Sequence, residues 1–199
     1  MAKKNPSHLF SIDLDELEAV KQILHATEKE MMLAYNRALK RTAISFKSLL
    51  SKEVRDSVQA RKLDYVRKRL KDYRVSTPGQ VLDGLKFWVG LNDMAVHSLK
   101  GRMKQKSPYA YFSPKSKVID QKKVRRGFVL TGGKLGSNRL MFQRFASYKG
   151  AYHVVRTSID TAVQDGIEDK LFNLLPEIFL KHFETDLKGR IAMRKKKDK

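Results

Sequence analysis

The chain reads as an α+β fold: long N-terminal helices, a small antiparallel β-sheet with a long basic loop, and a C-terminal helix packed on the sheet. Three observations predict it. An apolar stripe at three- and four-residue steps follows a capping box at Thr27 and Glu30. Three short β-rich runs with glycine turns succeed one another between Gly127 and Arg156. A second helical stripe then runs from Val163 to Leu187.

Residues 1–8 read as a flexible tail, followed by a brief helix to Leu24 that Asp13 or Asp15 would cap. Behind the capping box, Met31, Tyr35, Ala38, Thr42, Phe46 and Leu49 form one apolar stripe on a helix to about Arg55. Leu63, Val66 and Leu70 predict a second helix over 60–73. Thr77-Pro78-Gly79 breaks the pattern, and Leu85–Leu91 is a β-rich run. Gly127–Leu130, Leu140–Phe145 and Ala151–Arg156 predict an antiparallel meander. Pro176 falls inside the last helical stripe and predicts a kink or break there. Gly189 ends that stripe. The expected organisation is one domain over 9–190, with a basic loop over 97–126 and a disordered basic tail over 191–199.

Charge is the dominant compositional feature. Lys+Arg 42 against Asp+Glu 21 leaves +21 on 199 residues. Such an excess is common in proteins that bind nucleic acid or anionic membranes. There is no cysteine, which excludes disulfides and thiolate metal sites. No apolar run approaches the roughly 18–20 residues that span a bilayer, and no apolar stretch follows the first lysines, so a protein of the reducing cytosol is expected.

The charge is concentrated. Lys100, Arg102, Lys104, Lys106, Lys115, Lys117, Lys122, Lys123, Arg125 and Arg126 face one acid, Asp120, in the same stretch. Gly101, Ser107, Pro108, Ser113, Pro114 and Ser116 punctuate it, so it reads as a long exposed loop or ragged hairpin. Ten like charges repel one another unless a polyanion sits opposite, and this stretch is therefore the candidate DNA contact. The bland alternative is a solvated loop with no partner. Arg61, Lys62, Arg67, Lys68 and Arg69 form a second basic face on the expected helix. Tyr109, Tyr111 and Phe112 interleave with the charges. They could stack on exposed bases, but without a recognised single-strand-binding fold, packing on the protein itself is the favoured reading.

Signs of catalysis are lacking. His8, His25, His97, His153 and His182 stand in no metal-ligand spacing, Gly132, Gly133 and Gly136 do not make a phosphate loop, and no G-x-S-x-G occurs. A nuclease would need carboxylates converging on a cation. Asp13, Asp15, Glu16 and Glu18 near one end and Glu177, Glu184 and Asp186 near the other read instead as helix caps and dipole partners. No enzyme, cofactor or metal is expected.

The order of elements resembles the minor tail protein Z family of phages and prophages, the tail completion proteins. The resemblance rests on Ala26–Met32 leading into Tyr35–Ala43, the basic helix around Arg61–Arg69, the basic insert, Arg126–Val129, Phe142-Gln143-Arg144, and Arg156–Ile159. It covers roughly residues 10–190. It implies a virion component at the head-proximal end of the tail, made in the host cytoplasm, that completes the tail for head–tail joining. Implied partners are other copies in a ring, commonly sixfold, neighbouring tail and neck proteins, and phage genomic DNA, with no membrane. The alternative is a free, non-specific nucleic-acid-binding protein of ribosomal or nucleoid type. Exposed apolar residues on Leu85–Leu91 or Leu140–Phe145 would favour the ring.

Overall fold

The computed structural model describes residues 7–10, 14–76, 82–90, 92–131, 139–145, 150–159 and 171–198. The fold is α+β, and the chain divides into two compact units. The first comprises Met1–Leu50, Leu70–Val89 and Asp169–Lys199; the second, Ser51–Arg69 and Gly90–Glu168.

In the first unit, strand β1 (Ser7–Phe10), helix α1 (Leu14–Ile23) and the long helix α2 (Glu28–Val58) come first, α2 belonging to this unit as far as Leu50. Strand β1 lies within the stretch expected to begin as a tail: Ser7 and His8 pair opposite Trp88 and Phe87. The capping box forms. The Thr27 amide donates to Glu30 Oε2 at 2.9 Å, and the Glu30 amide donates to Thr27 Oγ1 at 3.2 Å. The buried stripe of α2 runs through Met31, Tyr35, Ala38, Thr42 and Phe46 but leaves through Leu50, not Leu49, which is 39% exposed. The 3.6-residue turn explains the slip, because a four-residue step from Phe46 keeps the inward face.

The expected helix over 60–73 is the largest departure. Only one turn, α3 (Asp64–Arg67), is helical; Leu70–Val75 is strand β2. It pairs antiparallel with β3 (Gly84–Val89), Leu70 opposite Val89, and β3 is the centre of a sheet ordered β1-β3-β2. The spacing of Leu63, Val66 and Leu70 mimics a helix, but cross-strand pairing outweighs a weak local preference. Phe46 of α2 packs between Phe87 of β3 and Phe172, at centroid distances of 4.7 and 5.2 Å.

The C-terminal helix α4 (Leu175–Lys197) carries Pro176 in its first turn, where the missing N–H costs nothing; residues 160–170, where the sequence also suggested helix, lie outside the described residues. Phe179 reaches Tyr35 of α2 at 5.4 Å. The expected disordered tail over 191–199 is helical through Lys197. Ile191 is buried, the terminal cations suit the helix dipole, and Arg194 donates to Glu30 at 2.7 Å and to the His25 carbonyl at 3.0 Å.

Burial opposes ionisation of Glu30, but the Thr27 hydrogen bonds and the Arg194 charge outweigh it and hold the carboxyl below its ordinary 4.5. Its ionised form is therefore favoured by folding. Thr27→Ala should cost about 1 kcal/mol in denaturant titration. The Glu30 contribution should be complete above pH 4.5 and fade as the pH falls through the lowered folded value. Glu30→Gln should flatten that acid limb of the stability profile.

Candidate nucleic-acid interface

The basic stretch is a folded three-stranded sheet, not a loop. Strands β5 (Gly101–Lys106), β6 (Tyr109–Pro114) and β7 (Lys122–Arg125) pair antiparallel in that order; β4 (Met94–Ala95) precedes them. The segment between β6 and β7 is anchored by buried Ser116, which donates to the Ser57 carbonyl at 2.7 Å, and by buried Ile119. The cause of the order is alternation. Met103, Ala110, Phe112 and Val124 are buried, so the residues between them must point the other way.

Register then builds one outer face. Lys106 stands opposite Tyr109, which stands opposite Arg125; Lys104 stands opposite Tyr111, which stands opposite Lys123; Arg102 stands opposite Ser113. Each tyrosine thus has a cation on either side, with directly opposed Cβ atoms about 5 Å apart. Lys123 Nζ lies 4.5 Å from the Tyr109 ring centre and 6.0 Å from that of Tyr111. Arg102, Lys104, Lys106, Tyr111 and Ser113 line an open groove of about 460 Å³. Of the three expected aromatics, Phe112 packs inward, as the favoured reading had it, while Tyr109 and Tyr111 sit half-exposed on the charged face.

The other expected contacts are distributed around this sheet. Lys122 alternates onto the opposite side, opposite Phe112, and is half-buried. Lys100 and Lys115 meet at the end of β5, the Lys115 amide donating to the Lys100 carbonyl at 2.9 Å. Lys117 is exposed before β7, and Arg126, also exposed, forms the turn after it with a φ of 59°. Among the described residues, none of these ten cations has a carboxylate within salt-bridge distance.

The second basic set divides. Lys62, Arg67 and Lys68 are exposed. Arg61 donates to the Leu99 carbonyl at 2.9 Å. Arg69 spends its guanidinium on Asn92 Oδ1 at 2.8 Å and on the carbonyls of Gly90, Asn92 and Asp93. Arg69 therefore holds Gly90, Asn92 and Asp93 rather than presenting its charge. The positive field is felt inside the unit as well: burial, then Arg61 and Arg156, lower the pKa of half-buried His97 below 6.5.

The predicted meander follows: β8 (Gly127–Leu130), β9 (Leu140–Arg144) and β10 (Tyr152–Val154), in sheet order β10-β9-β8, with β11 (Arg156–Thr157) pairing with β4. Arg144 and His153 were not singled out for binding by the sequence. With Arg125, Arg126, Gln143 and Phe145 they line a second open groove, of about 400 Å³. The sequence signal was Arg144 ending a strand whose partner strand carries His153 beside it.

Among the described residues no three His, Asp or Glu side chains gather to hold a metal ion. Asp186 is nearly buried and faces Arg190 at 2.6 Å and Arg37 at 3.3 Å. No helix among the described residues is long and apolar enough to cross a membrane. No family model, curated protein or solved structure matches this chain.

The sheet's stability should depend on its inner face and not on its charges. A Cβ on Gly127 would lie 2.7 Å from Ala110 Cβ and 2.9 Å from the Val124 carbonyl oxygen, closer than real atoms approach. Gly127→Val should therefore cost at least about 2 kcal/mol in chemical denaturation. Lys104→Gln and Arg125→Gln should each stay within about 0.5 kcal/mol of the parent.

Proposed function

We propose that this is a non-enzymatic structural protein that contacts nucleic acid non-specifically through the β5-β6-β7 face. The observation that carries the reading is five cations (Arg102, Lys104, Lys106, Lys123 and Arg125) on one side of one sheet, with no carboxylate among the described residues paired to any of them. Such a surface repels itself, and a phosphate backbone relieves the repulsion while releasing its own counterions. The resemblance to the tail completion family extends this reading to a ring at the head-proximal end of a phage tail, through which genomic DNA passes.

The apolar surface favours self-association over a free monomeric binder. Leu85, Phe87 and Val89 are buried, so β3 offers a neighbour no apolar cluster, only half-exposed Trp88 with Lys71 over its ring. The second unit does. Phe128, Phe142 and Tyr152 cluster at 5.1–5.6 Å on one face of the β8-β9-β10 sheet, where Tyr152 is 54% and Leu130 42% exposed. Exposed aromatic clusters of this kind mark interfaces.

Duplex binding measured against salt tests the first part. The parent should bind at low ionic strength with a steep slope of log K on log salt. Replacing Arg102, Lys104, Lys106, Lys123 and Arg125 by Gln should shallow that slope by up to about 4.5 without changing the melting temperature. A parent indifferent to DNA at low salt overturns the reading. Sedimentation tests the second part: the parent should form closed oligomers that Tyr152→Lys dissociates, and a parent that is monomeric at all concentrations overturns the ring.

A further inference from the structure

We infer that the β5-β6-β7 face is a stacking platform for single-stranded nucleic acid, with Tyr111 as the principal ring and Tyr109 as the second. The inference rests on the phosphate-contact reading and adds a requirement that a duplex cannot meet. In a duplex the base faces are occupied by one another. In a single strand they are free to lie on an aromatic side chain.

The arrangement of the face fits that ligand in three respects. The rings occupy the middle strand and the cations the two outer strands, so a base over Tyr111 places its phosphates towards Lys104 on one side and Lys123 on the other. The tyrosines are 6.3 Å apart with planes inclined by 53°, and are therefore not stacked flat on each other. Tyr111 also lines the open groove with Arg102, Lys104 and Lys106, which gives a strand access to it. Lys123 over Tyr109 is an exposed, long side chain that swings aside at little cost, and its ammonium remains available to a phosphate.

The other chemistry on the face points the same way. Its outward residues are Arg102, Lys104, Lys106, Tyr109, Tyr111, Ser113, Lys123 and Arg125, without one carboxylate or side-chain amide. Binding is therefore tolerant of base identity, since every base has a face to stack. An acidic peptide would satisfy the cations and leave both tyrosines unused.

Fluorescence anisotropy on the full chain tests the inference with three labelled probes: an oligothymidylate of about 15 nucleotides, an abasic strand of the same length and charge, and a duplex. The parent should bind the oligothymidylate at least about fivefold more tightly than the abasic strand. Replacing both tyrosines by Leu should abolish that preference while leaving abasic binding within about twofold, Tyr111→Leu alone should remove the larger part of it, and Tyr111→Phe should retain it. Lys104→Gln should weaken both strands alike. Equal affinity of the parent for the thymidine and abasic strands overturns the stacking platform and leaves the phosphate contact standing. Binding to none of the probes at about 50 mM salt overturns both.

Discussion

The charged face depends on what lies behind it. Met103, Ala110, Phe112 and Val124 are drawn out of water, and a strand cannot bury one residue without turning its neighbours outward. Arg102, Lys104, Lys106, Lys123 and Arg125 are brought together by that constraint, although nothing among them is attractive. The inner packing supplies the free energy, and the outer face inherits a concentrated field. Tyr109 and Tyr111, set between the cations, keep each lysine or arginine of one outer strand from standing directly beside one of the other.

The two units differ in how much of their charge is paired. In the first, carboxylates neutralise the basic residues at its helix ends and strands: Arg194 meets Glu30, Arg190 and Arg37 meet Asp186, Lys47 meets Asp72, and Arg74 meets Asp83. These pairs hold elements to one another, and the Arg194 contact converts an expected frayed end into the last turns of α4. In the second, Arg55 meets Asp56 and Arg67 lies 4.0 Å from Asp64, while Arg61, Arg69, Arg139 and Arg156 direct their guanidinium groups at backbone carbonyls. The remaining positive charge is left facing solvent.

Much of this was legible in the residues, and the failures have identifiable causes. The capping box, α2, β3 and the β8-β9-β10 meander follow from periodicity and turn residues, and all are present. The stretch 60–73 deceived because Leu63, Val66 and Leu70 keep helical spacing by coincidence, while the pairing of Leu70–Val75 with β3 is invisible locally. The basic stretch deceived for another reason. Gly101, Ser107, Pro108 and Pro114 were read as loop punctuation, and they do mark strand ends and turns. Between them, Arg102-Met103-Lys104 alternates polar and apolar residues, and in Tyr109-Ala110-Tyr111-Phe112 every second residue is buried, but exposed Gln105 interrupts the pattern in β5. How the candidate residues divide between one face, the opposite face and the turns required the register.

The first unit is assembled from three separated lengths of chain, and the second is complete before the last of them. During synthesis the tyrosine-bearing sheet can therefore finish folding on the ribosome while α2 still awaits α4 and the partner of Glu30. The newborn protein would carry its positive surface, fully formed, among ribosomal RNA before its own carboxylates had found their arginines. Early chaperoning or rapid assembly would be an advantage to such a chain.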